Sequence, residues 1–260
     1  MDQEILTENQ GYDLEVEKFI GRLDSLEITT INGRITEIVG MLIKAVVPQV
    51  KIGEICLVKR EGMEPLMCEV VGFTSEEAFL SPLGEMTGVG PSSEVVPTKM
   101  PLSIKVGQNL LGRVLNALGE PLDEDTKGPL ILDEYYPVTR SPPDPLKRKI
   151  ISEPITVGVR AIDGVLSAGQ GQRVGIFAAA GGGKSTLLGM IARNVTADVN
   201  VIALVGERGR ELMEFIHKDL GEEGLKRSVV VVATSDNSAM LRNKCALTAT
   251  AIAEYFKDKG

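Results

Sequence analysis

A run of three glycines followed by lysine and serine constrains the fold of this chain more than any other feature. Residues 178–185 read AAAGGGKS and lie between an apolar segment, 173–177, and a segment with helical spacing, 184–194. The run matches G-x-x-x-x-G-K-[ST] except that Ala178 replaces the first glycine. Because glycine has no Cβ, such a backbone can wrap around an anion with its N–H groups pointing inward. The pattern predicts a phosphate-binding loop between a buried strand and a helix.

The residues that end this loop have the side chains that a nucleotide site needs. Lys184 can reach the β- and γ-phosphates, and the hydroxyl of Ser185 can bind Mg²⁺. The N-terminus of the following helix adds roughly half a positive charge. A glycine-rich turn without a ligand is the alternative, but the flanking strand and helix favour nucleotide binding.

A second charged motif follows the next apolar strand. Residues 199–205 read VNVIALV and precede GERGRE, so Glu207 stands where the strand ends. Ligands of parallel sheets bind at this edge, and a carboxylate there can orient water for attack on the γ-phosphate. Arg208 can neutralise charge or hold Glu207 in place. Spacing alone leaves Glu207 divided between catalysis and capping of the next helix.

The pattern past residue 150 alternates between strands and helices. A helix is predicted over 208–220, an apolar strand over 228–233 and a helix over 238–256. Near-continuous apolar strands alternating with helices are typical of a parallel sheet covered on both faces. The last helix has a predicted core stripe, which comprises Leu241, Cys245, Thr248, Ile252 and Phe256.

The N-terminal half has a different texture. Short β-branched runs at 31–39, 54–59 and 67–73 are separated by glycine and proline, which predicts a small barrel or sandwich. The first 22 residues are charged and predict a mobile arm or short helix, and 121–145 reads as a linker.

Composition excludes several classes of protein. With 28 Lys and Arg against 36 Asp and Glu, the net charge is −8, so a basic nucleic-acid surface is not expected. We find no stretch of roughly 20 apolar residues and no basic, apolar leader, so we expect a chain that is neither exported nor membrane-spanning. His217 is expected on a helix surface, and the three cysteines are expected to be reduced core thiols: Cys56, Cys68 and Cys245.

Seven collinear segments resemble the ATPases of bacterial type III secretion systems. That family comprises virulence injectisome and flagellar export ATPases and is similar to the catalytic subunit of rotary ATP synthases. The segments that carry the resemblance are 33–45, 106–123, 158–178, 175–190, 203–212, 219–236 and 249–260. LSPLGEM at 80–86 and the glycine run look more like the injectisome branch, although the sequence leaves the branch open.

The resemblance implies an α/β fold, in which a small N-terminal β-barrel precedes a partial RecA-like P-loop NTPase domain with a parallel sheet. The changes in sequence pattern divide the chain into an arm (1–25), the barrel (26–97), a connecting segment (98–150) and a last part (151–260). The resemblance identifies that last part as the first portion of the ATPase domain, whose remainder and helical C-terminal domain are expected to be absent. It also implies assembly as a homohexamer.

The resemblance further assigns roles to individual residues. ATP and Mg²⁺ are the implied ligands, Ser185 the magnesium ligand, Glu207 the water-activating carboxylate and Arg208 a phosphate-side residue. Lys184, Glu207 and Arg208 are the implied catalytic residues. The implied phosphate-binding residues are Ala179, Ala180, Gly181, Gly182, Gly183, Lys184, Ser185 and Thr186.

The implied activity is ATP hydrolysis that releases chaperones from export substrates and unfolds those substrates for secretion. The implied partners are the central stalk, stator or regulator proteins, chaperone–substrate complexes and the inner-membrane export gate, but no nucleic acid. The implied location is the cytoplasm, peripheral to the inner membrane.

Two alternatives remain. One is a rotary ATP synthase-type subunit, which Gly209 and the uninterrupted glycine run disfavour because those subunits more often have threonine and alternating glycines there. The other is a non-catalytic nucleotide-binding assembly subunit, which Glu207 disfavours because such subunits tend to lose that carboxylate.

The chain also departs from the family pattern. Asn237 follows Asp236 where arginine is usual, and Leu241 stands where glutamate is common. Gly260 falls just before the expected Walker B strand, so we expect a truncated chain that is inactive alone. Its sheet is then expected to be partly uncovered at Ile202, Val229 and Val231.

Overall fold

The computed structural model describes residues 31–179 and 181–260, and the first part of it is a closed six-stranded barrel. Its strands are β1 (Gly33–Val39), β2 (Leu42–Val46), β3 (Glu54–Arg60), β4 (Met63–Phe73), β5 (Ala78–Pro82) and β6 (Glu94–Pro101). All neighbouring strands are antiparallel in the order β1-β2-β5-β4-β3-β6, so every strand has two partners. The predicted barrel is thereby confirmed, while the predicted arm, 1–25, lies outside the described residues.

The segment that follows the barrel is more structured than a linker. β7 (Ser103–Val106) pairs antiparallel with β9 (Glu134–Pro137), and β8 (Val114–Asn116) and helix α1 (Glu124–Lys127) lie between them. The prediction of a linker over 121–145 is wrong, because Leu132 and Val138 are buried in the core and hold this stretch against it. The prolines of 141–145 do stay outside helix and strand, apart from a 3₁₀ turn at Pro145–Lys147.

The second part of the chain is built on a parallel sheet. β10 (Asn200–Glu207), β11 (Ser228–Thr234) and β8 pair in the order β10-β11-β8. The helices are α2 (Lys184–Asn194), α3 (Gly209–Glu214), α4 (Gly221–Lys226) and α5 (Ala239–Asp258), with π-helical turns at Ile162–Leu166 and Phe215–Leu220. The parallel α/β sheet is confirmed, and β8 is a strand that the sequence patterns did not predict.

Both faces of this sheet are covered. Helix α5 covers one face with Cys245, Thr248 and Ile252, which are fully buried as the stripe predicted. Helix α2 and the π-helical turn Phe215–Leu220 cover the other. The expectation that Val229, Val231 and Ile202 are partly uncovered is wrong, because they are 0%, 0% and 7% exposed beneath these helices.

The strand predicted over 173–177 does not form. Phe177 is 94% exposed and Val174 is 58% exposed. An extended segment needs a neighbouring strand to satisfy its N–H and C=O groups, and the described strands pair only with one another. Apolar composition therefore predicted burial that this part of the chain does not show.

The barrel and the α/β part share a core. Ile55 and Leu83 of the barrel belong to the same apolar cluster as Cys245 and Ile252 of α5. Beside them Lys244 Nζ of α5 donates to Glu69 Oε1 of β4 at 2.7 Å, across 175 positions of sequence.

The predicted environments of the cysteines and of the histidine are confirmed. All three thiols are free and buried, and burial raises the pKa of Cys56 and Cys68 to about 12 and that of Cys245 to about 11. His217 is exposed on the π-helical turn. Across 31–179 and 181–260, none of the helices has the length and hydrophobicity needed to cross a bilayer.

Candidate functional site

The glycine loop has the backbone that its sequence predicts. Helix α2 begins at Lys184, and Gly183 and Gly181 adopt left-handed conformations with φ of 79° and 76°. At Gly182 the reason for glycine is space, because a Cβ there would lie 2.8 Å from the Cβ of Ala178. The three glycines thus allow the chain to double back immediately before the helix.

This turn leaves a cradle of backbone N–H groups. The first amides of a helix have no intrahelical acceptor, and the helix dipole makes that end positive. In α2 the first N–H group with an acceptor one turn back is that of Leu187, which donates to Gly183 O at 2.9 Å. Ala179 and Thr186 flank the cradle and are exposed, whereas Ala180 lies outside the described residues. An anion such as phosphate fits this arrangement.

The two sequence motifs meet at one edge of the structure. Glu207, the last residue of β10, places Oε1 3.7 Å from Nζ of Lys184. Their side chains are 34% and 54% exposed, so this ion pair is weak and can be exchanged for another partner. At the mouth of an anion cradle, such a lysine can bind a phosphate group. The carboxylate beside it can orient a water molecule towards the same phosphate.

A cleft of about 220 Å³ joins these groups. Lys184, Ser185, Glu207 and Glu211 provide its polar lining. The sequence patterns did not identify its apolar wall, because Leu188, Leu204, Leu212 and Phe215 read as core positions and are partly or fully buried. Cavities of about 400 and 660 Å³ also occur, at the barrel and beside the end of α5, and the loop lines neither.

Arg208 lies at the edge of the site, where its guanidinium bonds to Glu211 of the cleft lining. It is the N-cap residue of α3, and Nη1 donates to Glu211 Oε1 at 3.0 Å while the side chain is 69% exposed. The structure therefore brings Lys184, Ser185 and Glu207 together and leaves Arg208 beside them.

The residues present also fit a magnesium ion. Among the residues that the structure describes, no three His, Cys, Asp or Glu side chains form a cluster able to hold a metal. Magnesium in nucleotide sites usually keeps several waters and takes substrate phosphate oxygens, so it needs few protein ligands. Ser185 lines the cleft, and its hydroxyl can be one of them.

Sequence comparison places both parts of the chain in one family. Residues 35–99 match the beta-barrel domain of the ATP synthase alpha/beta family, and residues 158–260 match its nucleotide-binding domain. The second match begins upstream of the glycine loop and includes Glu207.

Individual relatives agree with this result. The chain is 51% identical over 245 residues to a "Flagellum-specific ATP synthase" of Bacillus subtilis (strain 168), which covers 92% of the chain and 55% of the relative. It is 49% identical over 239 residues to a "Type 3 secretion system ATPase" of Xanthomonas euvesicatoria, covering 92% of the chain and 54% of the relative. The chain therefore spans about half the length of the curated relatives that it matches.

A solved structure shows the same fold. It is that of the assembled ATPase EscN in complex with its central stalk EscO, from the enteropathogenic E. coli type III secretion system. The TM-score is 0.79 at 43% identity, and the match covers 87% of this chain and 55% of that one.

Proposed function

Because the chain belongs to the ATP synthase alpha/beta family, we propose that its cleft binds Mg·ATP and that its activity is ATP hydrolysis driving type III protein secretion. The observation that carries the proposal is the 3.7 Å approach of Glu207 to Lys184 at the mouth of the glycine loop. The relative named "Type 3 secretion system ATPase" supports the coupling to protein export, and the one named "Flagellum-specific ATP synthase" supports the ATP chemistry.

The glycine loop, Lys184 and Glu207 each have a part in this reaction. The loop amides, from Ala179 and Ala180 through Gly183 to Thr186, bind the phosphates. Lys184 leaves its weak ion pair for the β- and γ-phosphates, where a charge-assisted bond is stronger. Glu207, released from Lys184, accepts a hydrogen bond from the attacking water and takes its proton.

Magnesium and Arg208 are proposed to balance the negative charge of the phosphates. Magnesium, when bound, neutralises phosphate charge, and the hydroxyl of Ser185 holds it. Arg208 reaches the phosphates by giving up its bond to Glu211, which is exposed and therefore weak.

We also propose the assembly and location that the resemblance implied. The relative EscN is assembled and binds a central stalk, which supports a ring of identical chains around a stalk protein. Stator or regulator proteins, chaperone–substrate complexes and the export gate complete the proposed partners, at the cytoplasmic side of the inner membrane. The division into arm, barrel, connecting segment and ATPase part, at residues 25, 97 and 150, belongs to the same proposal.

The test is turnover by the complete gene product. Lys184→Ala is expected to lower kcat/KM for ATP by about 10- to 150-fold, the equivalent of one charge-assisted hydrogen bond of roughly 1.5–3 kcal/mol. Lys226→Ala is the matched control, since Lys226 is an exposed lysine on α4 whose partner is Glu223. Equal activity of both variants would refute the assignment of the loop.

A second variant separates chemistry from binding. Glu207→Gln keeps the size of the side chain but cannot take a proton, so kcat is expected to fall by about 10²- to 10⁴-fold with nucleotide affinity retained. Fluorescent-nucleotide titration and phosphate release measure the two quantities. If affinity falls and the turnover of bound ATP is unchanged, Glu207 is structural.

A further inference from the structure

The residue before Glu207 decides which face of the sheet the carboxylate reaches. Side chains along a strand alternate between the two faces. On β10, Ile202 and Leu204 pack in the cluster that contains Ala192 of α2, whereas Val201 packs in the cluster on the α5 side. With unbroken alternation, Glu207 would share the face of Val201 and point away from Lys184.

A β-bulge interrupts this alternation. Val205 pairs with Ala233 and Glu207 pairs with Thr234, so Gly206 and Glu207 together oppose one residue of β11. The extra residue shifts the alternation by one position and turns Glu207 to the α2 face. Bulges are rare between parallel strands, and they are over-represented next to active sites, where they re-aim a side chain.

The bulge depends on the backbone conformation of Gly206. Its φ is 76°, in the left-handed region that side chains with a Cβ disfavour. Space does not impose the glycine, because an added Cβ would lie 3.9 Å from Arg242 Cδ, an ordinary contact distance. The requirement for glycine is therefore conformational.

We propose that Gly206 is a positioning residue, whose left-handed backbone forms the bulge that turns Glu207 onto the α2 face beside Lys184. The inference rests on the proposed function, since the bulge serves hydrolysis only if Glu207 acts in it. It adds a residue that has no side chain and acts through Glu207.

Two substitutions of Gly206 test this proposal in the complete gene product. The introduced side chains, valine and asparagine, are similar in size but have opposite preferences for positive φ. Valine is strongly disfavoured at positive φ, whereas asparagine adopts it several-fold more often than most residues. Gly206→Val is expected to lower kcat for ATP by about a hundredfold, as small misplacements of catalytic groups do, with KM changed by less than about twofold. Gly206→Asn is expected to keep kcat within about threefold of wild type.

The control introduces valine at a glycine of positive φ that lies away from the cleft. Gly53 has φ of 83° in the barrel and open space around its missing Cβ, so Gly53→Val is expected to leave kcat unchanged. If Gly206→Val does not bind nucleotide, Gly206→Ala is compared with Gly206→Asn in its place, because alanine adds only a Cβ and still disfavours positive φ.

The outcomes separate this inference from the proposed function. Low kcat in Gly206→Val with rescue in Gly206→Asn supports it. Equal kcat in these two variants, whether high or low, overturns it, and so does an equal loss in Gly53→Val. Failure of the proposed function has a different signature, which is full turnover in Lys184→Ala.

Discussion

The buried ion pair between the barrel and helix α5 gives a stability prediction of definite size. Lys244 and Glu69 are 7% and 15% exposed at their side chains, and their charged atoms are 2.7 Å apart. Lys244→Met removes one charge and keeps the apolar length of the side chain, which leaves the Glu69 carboxylate buried without its partner.

Breaking such a pair costs about 3–5 kcal/mol, and because water still reaches Glu69 we take the lower end, about 3 kcal/mol. At about 2–4 °C per kcal/mol for a chain of this size, Tm is expected to fall by about 6–12 °C. The double variant Lys244→Met, Glu69→Leu replaces both charges by apolar groups and is expected to lie within about 1 kcal/mol of wild type.

Urea unfolding followed by circular dichroism measures the free energy of unfolding for the four members of this double-mutant cycle. Lys218→Met is the control, because Lys218 pairs with Glu214 at the surface, with exposures of 75% and 65%, and is expected to cost under about 0.5 kcal/mol. If Lys244→Met is no worse than this control, or if the double variant is as unstable as the single one, the ion pair does not hold the barrel to α5.

Two further outcomes follow from the structure. Above pH 9 the unfolded thiols lose their protons while the pKa of about 12 keeps Cys56 protonated in the fold, so stability falls as pH rises from 9 to 12. The variant Cys56→Ala, Cys68→Ala is expected to show a shallower fall in pH-dependent urea unfolding. Ser238→Ala removes the N-cap bond to Leu241 N–H and is expected to cost about 1 kcal/mol in the same assay.

The pattern of apolar residues correctly predicted the helices and strands whose own residues form a continuous apolar face. Helix α2 was predicted at 184–194, the bounds that it has, because its apolar residues recur at helical spacing and its glycines mark its start. Strand β11 was predicted from its five consecutive apolar residues, Val229 to Ala233, all of which are buried in the structure. In both, the signal lies in the residues of the element itself.

Features that depend on a distant partner could not be predicted in this way. Strand β8 has only three residues and is a strand because β11 pairs with it. The segment 173–177 has the composition of a buried strand and lies exposed, since burial requires a neighbour that composition does not specify. The bulge at Gly206 was missed for a related reason, because one glycine after a strand is also the signal of an ordinary turn.

In the candidate site too, local sequence predicted the individual residues but not their distance from one another. Lys184 and Glu207 were predicted because each motif fixes its residue within a few positions of a strand end or a helix start. Their 3.7 Å approach depends on packing that neither motif contains: α2 approaches the π-helical turn so closely that a Cβ on Gly189 would lie 2.6 Å from Asp219 O. This contact positions the loop from its helical side, so Lys184 and Ser185 can face the cleft although the segment before the loop is not in the sheet.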